Sequence, residues 1–287
     1  MDTVLQYLVD VLLATLMHLA ILLAPILVLG LIMHVISKQI EKLTVGIIGI
    51  HGYLYLFGWL GTAVHEFGHL IFALLFGHHV SNVKLFSFNT SNPEMGYVKH
   101  TFNKKNIYQN LGNFFIGIGP ILLGGSALFI IGYFIFDIKF NILTSSDLKI
   151  INSSVTKGVR DVFFSLYDAL MYTLKNILQN EGIVWWKYLL FFYLLFAIGS
   201  SISLSKSDIK GSFSGLLLFV AFILIFNLTT LWIGDFATTI FTSISNVVSS
   251  FYLVLLVSIV FNLGFLLVLW LLSLLIPTKT AKKEKKK

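Results

Sequence analysis

Residues 65–69 read His65-Glu66-Phe67-Gly68-His69, and they lie inside the apolar run Val45 to Gly77. On a helix, the pattern H-E-x-x-H sets two imidazoles four residues apart, one above the other on the same face. They can grip one metal ion together. Glu66 then stands beside the open side of that ion, where it can take a proton from a water. A pair of histidines satisfied by hydrogen bonds inside a bundle is the plainer account. It explains neither the glutamate nor its place in hydrocarbon, where an ionisable group is costly and by default functional. Metal binding is the expectation for this stretch.

The composition says what surrounds the motif. Of 287 residues, 57% are hydrophobic and only 11% charged, and the mean hydropathy is +0.89, which excludes a soluble globular class. An all-α polytopic membrane protein is expected, forming one domain over 1–287 with its core at 45–234. The chain has no cysteine, so a zinc ion must be held by His, Asp, Glu and water. That donor set suits a catalytic site better than a structural one. The net charge of +7 is concentrated in the tail 277–287, where six of the nine residues from Lys279 to Lys287 are lysine. Such a tail reads as a cytoplasmic anchor on anionic lipid, not as a nucleic-acid-binding element.

Taken in order, the apolar runs predict about six transmembrane helices: Val4 to Ile36, Val45 to Gly77, Leu111 to Phe136, Ile183 to Leu204, Leu216 to Gly234 and Val247 to Ile276. The first should kink at Pro25 and end at the polar turn Ser37 to Thr44. Gly46, Gly49 and Gly52 predict a break at the start of the second. Asp10, His18 and His34 read as interhelical hydrogen-bonding groups. Two short strands, Val83 to Phe88 and Gly96 to Phe102, should form a membrane-associated β-hairpin about the turn Asn89 to Pro93, with His78 and His79 solvated beside it. Val162, Phe163, Leu166, Leu170, Leu174 and Ile177 recur at helical spacing and predict one interfacial amphipathic helix.

Six spans put both termini on one side. With the lysine tail in the cytoplasm, the loops carrying Lys84, Lys99, Lys104, Lys105, Lys206 and Lys210 face it too, and so does the exit of the HEFGH helix. A catalytic zinc needs a third protein ligand. Asp10 and Asp235 belong to other depths or the other face, which leaves Asp208, with Glu94 next. Asp208 also suits a helix N-cap, and topology alone leaves ligand and cap equally open.

With these residues in view, the chain resembles the site-2 protease family of intramembrane zinc metalloproteases, in its compact bacterial branch. HEFGH at 65–69 and Gly119-Pro120 one helix later are similar to family motifs, and the hairpin with Gly96-Tyr97-Val98 looks like the family's membrane-associated β element. The usual Asn-Pro-Asp-Gly or Leu-Asp-Gly motif is absent. The Ser-rich stretch Ser203 to Gly211 stands in its place, with Asp208 in the ligand position. The resemblance implies Zn2+ held by His65, His69 and Asp208, Glu66 as general base, and a multi-pass plasma-membrane enzyme cutting near the cytoplasmic face. Its substrate would be a membrane-spanning or membrane-associated peptide. The competing expectation is a non-proteolytic transporter or partner subunit with a structural metal site, whose path Asp10, His18 and His34 could line.

Overall fold

The computed structural model describes residues 2–89, 95–136, 155–179, 182–233 and 236–276. The candidates Glu94 and Asp235, most of the turn Asn89 to Pro93, the segment 137–154 and the lysine tail lie outside them. Seven helices and one two-stranded sheet make up the described residues: α1 (Asp2–Tyr53), α2 (Trp59–Leu75), β1 (His79–Lys84), β2 (Tyr97–Thr101), α3 (Ile107–Phe136), α4 (Val155–Leu178), α5 (Trp185–Gly199), α6 (Lys206–Thr230) and α7 (Phe236–Leu275). Four helical stretches are long and apolar enough to cross a membrane: Thr3–Leu75, Ile107–Phe136, Lys206–Ile233 and Phe251–Leu275.

The first two expected spans are thus one helical stretch, because the polar turn predicted between them is itself helical. Lys, Gln, Glu and Leu are good helix formers, and Lys38 Nζ pairs with Glu41 Oε2 at 3.2 Å along the surface. On the other side Ile40 and Thr44 are buried, and Ser37 returns its hydroxyl to the Met33 carbonyl at 2.7 Å. The backbone leaves helical dihedrals at Gly49 (φ 82°, ψ 167°), within the predicted glycine cluster, while Pro25 lies inside the helix. Only glycine takes that conformation without strain. A π-helical turn, Leu54–Gly58, then leads into α2.

The fourth expected span is also shorter than the sequence suggests. α5 has 15 residues, about 22 Å of helix against the roughly 30 Å of a hydrocarbon core. The chain unwinds from Ser200 and re-enters helix at Lys206, so the polar interruption at 205–211 forms the opening turns of α6.

α3 sits at the centre, packed most extensively against α2 and α6, while α1 lies along α7. The buried core joins Met33 and Ile40 of α1, Ile121 of α3, Leu195 of α5 and Leu253 and Leu255 of α7. Ile177 of α4 belongs to it, with Ala169 and Leu170 packed alongside, so the second half of the predicted amphipathic helix docks on the bundle. A β-carbon on Gly68 would lie 2.7 Å from the Gly119 carbonyl group, so the backbones of α2 and α3 touch where the motif sits.

The remaining polar residues of the first helix divide. Asp10 is exposed and accepts from Gln6 within its own helix at 3.1 Å. His18 stands beside Asn227 of α6, whose amide donates to Thr15 at 2.9 Å, an interhelical cluster of the expected kind. His34 Nδ1 is buried without a hydrogen-bond partner, so it does not play the predicted interhelical role.

Candidate metal centre

α2 carries His65 and His69 on its inner face while Phe67 between them is exposed, and the i, i+4 spacing brings the two rings together with Nε2 to Nε2 at 3.3 Å. Each ring is oriented from behind. His65 Nδ1 lies 3.0 Å from the Ser201 carbonyl and His69 Nδ1 lies 2.8 Å from the Ile116 carbonyl. A carbonyl can only accept, so both rings carry their proton on Nδ1 and turn an Nε2 lone pair inward. Carbonyl partners that fix the tautomer in this way are the usual outer support of metal-ligating histidines.

Both carbonyls lack the usual helical donor four residues on, for a reason legible in the chain. In a regular helix the Ile116 carbonyl would accept from the backbone N–H of residue 120, but residue 120 is proline and has none. The Ser201 carbonyl lies just past the end of α5 in unwound chain, where it accepts from Ser203 N–H at 2.8 Å as well as from His65. The short α5 and the Gly119-Pro120 pair therefore act on the same two rings.

One test follows. Pro120→Ala should restore a helical N–H that competes for the Ile116 carbonyl and loosens His69. Metal affinity is expected to fall about 10- to 100-fold with the helical content unchanged, as measured by competition with a chromogenic chelator. Unchanged affinity would remove the role assigned to this carbonyl.

Asp208 enters from the first turn of α6. Its Oδ2 is 3.7 Å from His65 Nε2 and its Oδ1 is 3.4 Å from His69 Nε2. The same carboxylate accepts from Ser205 N–H at 2.7 Å, while Asp208 N–H donates to Ser205 Oγ at 3.1 Å. This is a reciprocal capping box with Ser205 as N-cap and Asp208 three residues on. Ligand position and cap, weighed as alternatives from sequence, coexist because a carboxylate has two oxygens.

The donor set fits a metal ion. Two neutral Nε2 lone pairs facing each other at 3.3 Å repel unless a cation or a proton lies between them. With Zn–N distances of 2.0–2.1 Å, two ligands at a tetrahedral corner are separated by about 3.3 Å. His65, His69 and Asp208 form the only group of three or more His, Asp or Glu among the described residues that can hold a metal ion.

The three open onto a cavity of about 430 Å³, lined also by Glu66, Gly96, Tyr97, Val98, His100 and Asn113. Its far wall is the hairpin, antiparallel with Val80 opposite His100 and Lys84 opposite Tyr97, and irregular between Val80 and Asn82. The first strand begins at His79, four residues before the predicted start, and Leu85 to Asn89 are not strand. A β-carbon on Gly96 would lie 2.6 Å from Glu66 Cγ, so the strand backbone closes directly on the glutamate.

His79 is exposed as expected, but His78 is not solvated. It is buried, with Nδ1 at 2.9 Å from His100 Nδ1 and Nε2 at 2.7 Å from the Gln109 carbonyl. Burial, reinforced by His78 and then His69, holds His100 below the usual imidazole pKa. The sequence reading missed this pair, since 22 residues and a hairpin separate its members. The one signal available was period-two alternation, which turns Val98 and His100 to the same face of β2. Comparison with protein-family models, with curated proteins and with solved structures finds no match to this chain.

Proposed function

We propose that this chain is an intramembrane zinc metalloprotease of the kind the site-2 protease family represents, hydrolysing a peptide bond of a membrane-embedded or membrane-emerging substrate. One observation carries the reading: two Nε2 lone pairs, one carboxylate and a separate glutamate converge on a single cavity with an extended strand as its wall. His65, His69 and Asp208 would hold the ion. When bound there, zinc supplies Lewis acidity, lowering the pKa of a water and polarising a carbonyl. Glu66 then accepts a proton from the water as its oxygen bonds to the carbonyl carbon. It passes that proton to the amine nitrogen as the C–N bond breaks. A helical substrate must unwind first, because its carbonyls are engaged in its own hydrogen bonds. The free edge of the hairpin offers such a segment a place as an added strand.

The six-crossing topology belongs to this proposal. Thr3–Leu75 spans roughly 110 Å of helix, more than twice the 40–45 Å of a whole bilayer, which supports two crossings, one on each side of Gly49. So does the cytoplasmic placement of the hairpin and tail, supported by their lysines. Labelling Ser91→Cys from outside with an impermeant reagent would invert it.

The transporter reading draws on the polar cluster of Thr15, His18 and Asn227. It leaves Glu66 without a task, since a structural site needs no general base. The direct test is metal analysis. Protein purified without chelator should carry about one zinc per chain, as one H-E-x-x-H site predicts, and finding none would overturn the reading.

A further inference from the structure

The hydrolytic reading gives no task to the histidine pair on the hairpin, yet one of its rings lines the same cavity as Glu66. His100 stands on β2, and its Nδ1 meets His78 Nδ1 at 2.9 Å. That separation is a hydrogen bond's, not the roughly 3.3 Å of two nitrogens on one zinc. The protons can be assigned from the far end. His78 Nε2 faces the Gln109 carbonyl at 2.7 Å and must donate to it. In the neutral pair, His78 Nδ1 is then an acceptor and His100 donates to it from Nδ1. The remaining His100 nitrogen, Nε2, is left as a lone pair. Among the described residues nothing hydrogen-bonds to it, and it is not one of the buried side-chain atoms without a partner. The buried residue His78 therefore sets the tautomer of a ring on the cavity wall.

We propose that His100 is a substrate-binding residue of this cleft, whose Nε2 accepts a hydrogen bond from a backbone N–H of the bound peptide. The inference rests on the hydrolytic reading above. An extended peptide along β2 turns its N–H and C=O groups alternately to either side. The reacting carbonyl belongs at the metal-holding group. Where the peptide leaves the hairpin edge and crosses the cavity face that carries His100, an N–H turned to that face has no main-chain acceptor from β2, and leaving it unpaired away from water would cost binding. His100 supplies a neutral acceptor held in one orientation. Its lone pair would repel a substrate oxygen in the same place, so the residue selects an amide over an ester there. His78 is the positioning residue behind it.

The test uses the zinc-loaded, non-cleaving Glu66→Gln protein in detergent, with acetyl-Leu-Leu-hydroxamate as probe and binding as the readout. A second probe replaces one amide N–H with an ester oxygen, at each amide in turn. With His100 present, one of the two replacements should weaken binding about tenfold. In His100→Phe, which keeps a flat ring against His78, the same replacement should change binding by less than about twofold. His78→Asn places an oxygen acceptor near the lost Nδ1 and should keep the ester penalty, whereas His78→Leu should lose it. Zinc content and a thermal melt show in every variant that metal and fold are intact, and the all-amide probe should itself bind about tenfold more weakly in His100→Phe and His78→Leu. An ester penalty equal with and without His100 would overturn this assignment while leaving the metal centre standing. Failure of zinc-loaded protein to bind either probe would overturn the hydrolytic reading, and the assignment with it.

Discussion

On the proposed hydrolytic mechanism, Glu66→Gln should still bind zinc and lose cleavage by about 10²- to 10⁴-fold, the usual contribution of a positioned general base. The amide is nearly isosteric with the carboxylate but cannot take a proton from water at any working pH. Isostery matters at this position. Gly96 of the hairpin closes on Glu66 so tightly that a β-carbon there would lie 2.6 Å from Glu66 Cγ. A larger or reshaped side chain would move the strand as well as the chemistry. Metal binding should survive because the three donors, His65, His69 and Asp208, do not include Glu66. The measurement pairs zinc content with cleavage of an unfolded membrane-derived peptide in detergent. A variant that holds zinc and still cuts within tenfold of the parent rate would remove Glu66 from the mechanism and favour the transporter reading.

The parts of this site legible in the sequence are those that depend on local spacing. His65 and His69 share a face because 3.6 residues make a turn, and nothing tertiary is needed to see it. The glycine cluster before them announced a break, and the break falls at Gly49. Asp208 was reachable only by side and order, and both the cap and the ligand readings fitted the letters. What escaped was set by packing. A polar run such as Ser37 to Thr44 looks like a turn, but buried Ser37, Ile40 and Thr44 make it one face of a helix. The expected span runs on past Gly199 to Leu204, yet the chain unwinds there and the Ser201 carbonyl turns to His65. The pairing of His78 with His100 depends on a strand register that no local pattern specifies. The first strand begins earlier than its β-branched residues suggest for the same reason.

Pro120 and the end of α5 show why breaks in helices gather at this centre. A membrane helix keeps its carbonyls occupied, so a histidine at the same depth finds few acceptors. Removing one N–H at residue 120 and unwinding the chain after Gly199 releases one carbonyl for each ring. The cost in helix hydrogen bonds is offset where the freed groups meet a donor that must be fixed in direction.

Asp208→Asn should separate two jobs that the structure joins in one side chain. As the third residue of the capping box, Asp208 accepts from Ser205 N–H, and an asparagine oxygen serves there about as well. Stability of the metal-free protein should therefore change by less than about 1 kcal/mol. At the metal-holding group the requirement differs. An anionic oxygen is needed to complete the His-His-carboxylate set, and an amide turned to keep the cap would point its NH₂ at two histidines. Loss of an outer-shell partner alone costs 10- to 100-fold in metal affinity, so loss of this ligand should exceed roughly 100-fold, and hydrolysis should fall with it. Ser205→Ala is the complementary variant. It removes the N-cap hydroxyl at a cost of about 1 kcal/mol but leaves the carboxylate in place, so zinc should stay bound. Thermal melts with and without zinc read both effects, since a bound ion raises the melting temperature only of the state that holds it. If Asp208→Asn melts with the same zinc-dependent gain as the parent, Asp208 is a cap and nothing more. Asp208→Asn losing that gain while Ser205→Ala keeps it would assign the carboxylate to the metal.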